Sequence, residues 1–332
     1  MCAIFGMMDY AKNFSAKQRA KIMKVLGTMA EVRGTDATGY AYLNNGNLEI
    51  VKEPVAAHRL KLRLPESANI IIGHTRAATH GNKYSNYNNH PFIGNVGNKT
   101  FALAHNGVLW NYEELREEHN IPQTRIETDS YIAVQLLEKF GLSDEGLSRM
   151  AEEVWGSFMF TVLDDKGTVY LIKGDNPICL YHFHDGFYMY ASTEEILKRA
   201  LKKLRIKGAY TKIILNEGDI MKISRKGAIS MAKFQPQDTY SYGRAATAAY
   251  ADYGYSDLEI LESYAHLMGI KLEVVEEMLL EGWEADEILD LMVESPDFIY
   301  EYASSFYSED GGTDADDEYW SERRAVQGGV MS

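Results

Sequence analysis

The sequence predicts an α+β domain in which packed β-sheets are covered by helices, followed by a small helical module and an acidic tail. Three observations carry this. Short apolar runs bounded by turn residues recur from residue 2 to about residue 233. Helical apolar spacing appears in groups between those runs, the pattern of a layered domain. Near residue 235 the composition changes, and the strand signals stop.

Residues 2–8 read as a buried strand that starts at the second residue and ends before Asp9. Over 15–31, Ala20, Ile22, Met23, Leu26, Met29 and Ala30 recur at helical spacing behind a Ser15 cap. Strands at 39–43 and 47–51 are joined across Asn44-Asn45-Gly46, a hairpin signal. Ile70-Ile71-Ile72 and Phe101-Ala102-Leu103-Ala104 are short strands that end in polar clusters. Helices are expected over 111–119, 128–140 and 144–154, then strands over 157–164, 168–173, 178–183 and 186–190. A helix at 193–203 precedes strands at 211–215 and 218–224 and a last hairpin that runs to about 233.

The domain division is 2–235 for the layered domain, 236–255 for a linker, 256–303 for a small helical module and 304–332 for a disordered acidic tail. In the module, Ser256 and Glu259 form a candidate capping box, and Gly269 and Gly282 sit at helix ends. The tail is rich in Asp, Glu, Gly and Ser and poor in core-forming residues.

Composition excludes several classes of function. A formal net charge of −14 opposes a nucleic-acid-binding surface, which needs clustered Lys and Arg. The densest basic run, Lys198 to Lys207, reads as a solvated helix face. No apolar run approaches the roughly 20 residues of a membrane helix, and the amino terminus lacks the charged region of a signal peptide. The two cysteines, Cys2 and Cys179, are no disulfide framework, so a reducing cytoplasm is expected. The nine histidines show no zinc spacing, and neither a metal nor a cofactor is expected.

Cys2 is the first residue with chemical interest. Once an initiator Met is removed, one residue carries both a thiol and an α-amine. An amine with a pKa of about 8 is a suitable base for that thiol near neutral pH. Read alone, Cys2 is a small buried hydrophobe. Likewise Asn106-Gly107 alone is a hairpin turn, Arg76 a surface charge and Asp129 an acid at a helix start.

Taken together, the segments point further. Arg33-Gly34-Thr35-Asp36-Ala37-Thr38-Gly39, Gly73-His74-Thr75-Arg76-Ala77-Ala78-Thr79-His80-Gly81, Asn89-His90-Pro91, Ala104-His105-Asn106-Gly107 and Glu127-Thr128-Asp129-Ser130 come after Cys2 in that order. This series resembles the class II glutamine amidotransferases, whose glutaminase domains use an amino-terminal nucleophile. The nearest likeness is to the glutaminase half of glucosamine-6-phosphate synthase, over about residues 2–224. The resemblance implies a four-layer αββα sandwich. It implies Cys2 as nucleophile, with its own α-amine as base acting through a water, and the Asn106 side-chain amide and Gly107 N–H as oxyanion hole. Arg76 would hold the α-carboxylate of glutamine and Asp129 its α-ammonium, a cation and an anion for a zwitterion. Thr79 and His80 would line the same pocket, and Arg33 and Asp36 would support the loop beneath Cys2. His74 and His90 are read as structural.

Two positions depart from the family pattern. Ala77 stands where the synthase has a tryptophan that closes the ammonia path, and Tyr131 where a glutamate is frequent. The expected activity is hydrolysis of glutamine to glutamate and ammonia, with ammonia delivered to a separately encoded synthetase. The alternatives are hydrolysis of another amide, such as a γ-glutamyl compound, and a non-catalytic binding module. The apolar helices of 256–293 form a self-contained appendage, dock a partner or cover the glutamine pocket. Deleting residues 240–332 should leave a folded glutaminase with similar turnover of free glutamine, and under partner docking it should also remove association with the synthetase. A truncated chain that is insoluble or inactive would show that the carboxy-terminal region belongs to the catalytic core.

Overall fold

The computed structural model describes residues 2–78, 81–236 and 270–294, together with the single positions 258, 261, 265, 298, 299 and 302. Two compact units divide the chain: Met1–Tyr253 with Leu267–Gly269, and Gly254–His266 with Ile270–Ser332.

The first unit holds two antiparallel sheets. Its seven-stranded sheet is built from β1 (Ala3–Met8), β2 (Ala37–Asn44), β3 (Asn47–Glu53), β4 (Ile70–Arg76), β9 (Cys179–Phe183), β10 (Phe187–Ala191) and β11 (Tyr210–Ile213), in the order β11-β9-β10-β1-β4-β2-β3. Its six-stranded sheet takes β5 (Phe92–Val96), β6 (Lys99–Leu109), β7 (Gly156–Asp164), β8 (Val169–Lys173), β12 (Asp219–Ile223) and β13 (Ile229–Lys233), in the order β13-β12-β8-β7-β6-β5.

Three cores separate four layers. Against the outer face of the seven-stranded sheet lie α1 (Ala16–Ala30) and α5 (Glu194–Leu204), where Ile22, Met23, Leu26, Ile196 and Leu197 pack on Phe5, Met7, Tyr40 and Met189. Against the outer face of the other sheet lie α2 (Tyr112–Glu118), α3 (Tyr131–Phe140) and α4 (Asp144–Glu153), with Ile132, Leu136 and Met150 on Phe160, Val162 and Ile172. Between the sheets, Ile4, Met8, Ile70 and Ile72 meet Ala102, Ala104, Met159 and Leu171. The expected αββα sandwich is the observed one. Strand β1 shows why its sequence is apolar throughout rather than alternating. Ala3, Phe5 and Met7 face the helices, Ile4 and Met8 face the opposite sheet, and both faces are buried.

Local signals behave as their chemistry requires. Ser15 caps α1, and Gln18 completes the box, its Oε1 accepting from the Ser15 N–H at 2.8 Å. The basic run is the solvated face and exit of α5. Three differences from the sequence reading concern strands. Strand β4 does not stop at Ile72, nor β6 at Ala104; they continue to Arg76 and Leu109. The polar residues added, His74, Thr75, Arg76, His105 and Asn106, are buried, because each finds a partner inside the sandwich: His74 Nε2, for instance, pairs with the His105 carbonyl at 2.9 Å. Strand β5 went unpredicted, since Pro91, Gly94 and Asn95 hide an edge strand that pairs only with β6.

The second unit contributes α6 (Leu272–Leu280) and α7 (Ala285–Glu294). Val274, Val275, Met278, Ile288, Leu289 and Met292 are buried, and Gly282 makes the turn between the helices at φ +99°. The Ser256/Glu259 cap, Gly269, the linker beyond Pro236 and the tail from 304 lie outside the described residues. No helix among the described residues is long and apolar enough to cross a membrane.

Candidate active site

The register of the sheets brings the chemistry to one end of the sandwich. Ala3 pairs with Thr75, so Cys2 stands one step further on, beside Arg76 at the end of β4. Arg76 in turn pairs with Ala37, the first residue of β2. The loop entering β2 is pressed against this end: a Cβ on Gly34 would lie 2.5 Å from the Ala77 nitrogen and the Arg76 carbonyl carbon. Only glycine fits there.

Cys2 retains some exposure, but its sulfur lies deep in the protein. The thiol donates to the Ala77 carbonyl at 3.5 Å, and the Cys2 carbonyl accepts from Arg33 Nε at 2.9 Å. Burial pushes the thiol pKa up; the amino-terminal charge, the Ala77 contact and Arg76 oppose the shift, and Asp129 adds to it. Burial lowers the pKa of Arg76, against the pull of Cys2, Asp36 and Asp129. These interactions put the four groups within electrostatic reach of one another.

Each group is held from outside the pocket. Arg76 is buried and donates from Nη1 to Asn89 Oδ1 at 2.7 Å and from Nη2 to the Gly81 carbonyl at 3.4 Å. Asp36 accepts from the Ala78 N–H at 2.9 Å and pairs with Lys83 at 2.5 Å. Burial works against its ionisation, yet these bonds hold its carboxyl below the ordinary range. Asp129, just ahead of α3, accepts from the Leu109 N–H at 2.7 Å and from the Ser130 hydroxyl at 3.4 Å. Thr79 and His80 lie outside the described residues.

The opposite sheet supplies Asn106 and Gly107. They do not form a turn but sit within β6, opposite Met159 and Phe158. Asn106 is fully buried; its Nδ2 donates to Asn176 Oδ1 at 3.5 Å, and its Oδ1 has no partner. Gly107 has φ +137°, and a Cβ there would lie 1.8 Å from the Ser157 carbonyl oxygen. The Phe158 N–H is turned away to Asp175 Oδ1 at 2.7 Å. In an antiparallel ladder, that makes Gly107–Phe158 a pair whose backbone groups point apart. The Gly107 N–H therefore faces the flank of β6 that β5 leaves open, since β5 pairs no further along β6 than Leu103.

Beneath both halves lies a stack of three buried histidines. His74 and His90 have ring centroids 4.2 Å apart, and His90 and His105 6.4 Å apart. His105 Nδ1 meets the Ser130 hydroxyl at 2.8 Å, while neither nitrogen of His90 has a partner. Several of these supports left no mark in the sequence. Lys83 lies in a polar loop with no period, and Asp175-Asn176-Pro177 falls between two expected strands with no motif of its own.

A cysteine at the head of a central strand, in an αββα sandwich with donors on the facing sheet, defines the amino-terminal-nucleophile class of fold. Residues 63–245 match the family described as the glutamine amidotransferase domain, and the chain belongs to that family, in its class II branch. It is 35% identical over 235 residues to the glutamine–fructose-6-phosphate aminotransferase (isomerizing) of Staphylococcus aureus, covering 67% of this chain and 36% of that protein. The corresponding enzyme of Staphylococcus epidermidis is 32% identical over 291 residues, covering 83% and 45%. The chain thus spans less than half the length of these curated relatives. Among solved structures, it resembles glutamine phosphoribosylpyrophosphate amidotransferase from B. subtilis, complexed with ADP and GMP, at a TM-score of 0.58 and 19% identity. That likeness covers 70% of this chain and 49% of the other, and shows a shared fold.

The histidine stack makes stability depend on pH. Burial lowers His74 to about 3 and His105 to about 4, and holds His90 well below its ordinary value. Free imidazoles titrate near 6.5. Below that value the unfolded chain takes up protons that the folded chain refuses, so this contribution is complete above about pH 6.5 and lost on acidification. Each histidine should steepen the decline by about 1.4 kcal/mol per pH unit. Urea unfolding of His90→Phe between pH 6 and 4.5 should show a slope shallower by about that amount; an unchanged slope would contradict neutral burial of His90.

Proposed function

We propose that this unit hydrolyses the side-chain amide of glutamine to glutamate and ammonia through a thioester on Cys2. The observation that supports it most is the facing arrangement itself: Cys2, Arg76 and Asp129 within electrostatic reach of one another, and Asn106 and Gly107 at the same end of the opposite sheet. Removal of Met1 exposes the Cys2 α-amine. Because burial raises the thiol pKa, a standing thiolate is disfavoured, and the proton must leave as attack occurs. The α-amine takes it, directly or through a water. Sulfur then bonds to the amide carbon, and the carbonyl oxygen becomes an oxyanion that accepts from Asn106 Nδ2 and the Gly107 N–H. Protonation of the leaving nitrogen by the α-ammonium releases ammonia and leaves the thioester. A water hydrolyses that thioester to glutamate and restores the thiol.

Arg76 and Asp129 supply the charge pair for the α-carboxylate and α-ammonium of free glutamine, with Thr79 and His80 lining the same pocket. Arg33, bonded to the Cys2 carbonyl, and Asp36, bonded to Ala78 and Lys83, hold the loops under the nucleophile. The ammonia passes to a separately encoded synthetase. A reducing cytoplasm keeps both thiols free.

Steady-state kinetics with glutamine test the assignment. Cys2→Ala should abolish turnover, and Cys2→Ser should leave a trace, because a hydroxyl is far harder to ionise than a thiol. Asn106→Ala should lower kcat by about 10²–10³. Arg76→Lys should chiefly raise KM, since an ammonium cannot reproduce a two-pronged carboxylate contact. Cys179, buried in β9 and facing the helical core, should tolerate alanine with activity unchanged. Wild-type behaviour of Asn106→Ala and Arg76→Lys would show the pocket to be misassigned, and release of an amine only from γ-glutamyl compounds would move the substrate to that class.

A further inference from the structure

We propose that a directional hydrogen-bond relay, running from Asp175 through Ser157 to Asn176, fixes which face of the Asn106 amide meets the reacting carbonyl, making Asn176 a positioning residue. The inference rests on the reading of Asn106 as an oxyanion donor.

A side-chain amide has two faces of nearly equal size and opposite chemistry. Only the NH2 face can stabilise an oxyanion; the carbonyl face would repel it. Asn106 is fully buried and its Oδ1 has no partner, so nothing on the oxygen side selects the orientation. The selection comes from the nitrogen side, where Nδ2 meets Asn176 Oδ1 at 3.5 Å. An NH2 group has two hydrogens; one engages Asn176 and the second remains for substrate.

Asn176 has the same ambiguity and is itself buried. Its Nδ2 donates to the Ser157 hydroxyl oxygen at 2.5 Å. A hydroxyl can donate or accept, so Ser157 alone would pass on no direction. Asp175 removes that freedom. Its Oδ1 accepts from the Phe158 N–H at 2.7 Å. Burial raises the Asp175 pKa, while the neighbouring Ser157 hydroxyl, the Phe158 N–H and Lys173 oppose the shift and favour the ionised, acceptor-only form. In that form the Ser157 proton points to Asp175 and its lone pair to Asn176. Asn176 must then present NH2 to Ser157 and oxygen to Asn106, and Asn106 must answer with NH2.

The same cluster sets the backbone donor. The space a Gly107 Cβ would fill lies 1.8 Å from the Ser157 carbonyl oxygen and 2.8 Å from Asn176 Nδ2. The turn after β8 therefore underlies both donors. The competing account, in which Asn176 merely stabilises that turn, makes a different prediction for kinetics.

The test is a double-mutant cycle on glutamine hydrolysis by the full chain, using Asn106→Ala, Asn176→Ala and the pair. The relay predicts that Asn176→Ala lowers kcat on the order of tenfold, a fraction of what a whole oxyanion donor contributes, with KM little changed. In the Asn106→Ala background the same change should have almost no effect, because there is no amide left to orient. Ser157→Ala, which removes a single oxygen, should show the same non-additivity and carries the test if Asn176→Ala does not fold. Losses that multiply, or a rise in KM with kcat preserved, would overturn the relay alone while Asn106→Ala remains slow. Wild-type kcat in Asn106→Ala would overturn the oxyanion assignment, and the relay with it.

Discussion

The whole unit is organised around holding its second residue still. An amide-hydrolysing cysteine that uses its own α-amine has no chain ahead of it to anchor it. Its position must come from the strand it begins. Strand β1 supplies this by running through the middle of the seven-stranded sheet, paired with β4 on one side and β10 on the other. Ile4, Phe5, Met7 and Met8 are fully buried, and each contributes about 1.5–3 kcal/mol. The direct contacts at Cys2, a thiol–carbonyl approach of 3.5 Å and one bond from Arg33, are weak by comparison. Core packing places Cys2; local bonds only aim it.

A second constraint arises because the site is divided between two sheets that touch through apolar side chains. Apolar contact is not directional and would permit sliding. The bond from His74 on β4 to the His105 carbonyl on β6 supplies a fixed point immediately beside both halves, since His74 lies two residues before Arg76 and His105 directly before Asn106. His105 then reaches Ser130, which touches Asp129. One chain of polar contacts thus links the groups proposed for the head group and the oxyanion. The arrangement requires neutral imidazoles in a dry interior, which burial enforces.

Much of this was legible in the sequence. Apolar runs and helical spacing located the layers, and the ordered motifs around Arg33, Arg76, Asn106 and Asp129 named the groups that converge at the end of the sandwich. The parts that stayed hidden share a physical cause. Strands β4 and β6 continue through His74, Arg76, His105 and Asn106, whose partners are distant in sequence, so polarity there read as the end of a strand. Strand β5 is a short edge with one buried face, its apolar residues interrupted by Gly94 and Asn95. Asn176 and Ser157 lie 70 and 51 residues from Asn106, and neither carries a local pattern. Periodicity reports which face is buried; it does not report which polar group waits there.

The central claim is that Cys2, as the free amino-terminal residue, is the nucleophile. Its most direct test is peptide mass analysis of active enzyme inactivated by a diazo-ketone shaped like glutamine. The account predicts one equivalent of label per chain, on sulfur, in a peptide whose first residue is Cys2 with its α-amine free. Label on Cys179, or full activity in chains that retain Met1, would contradict it.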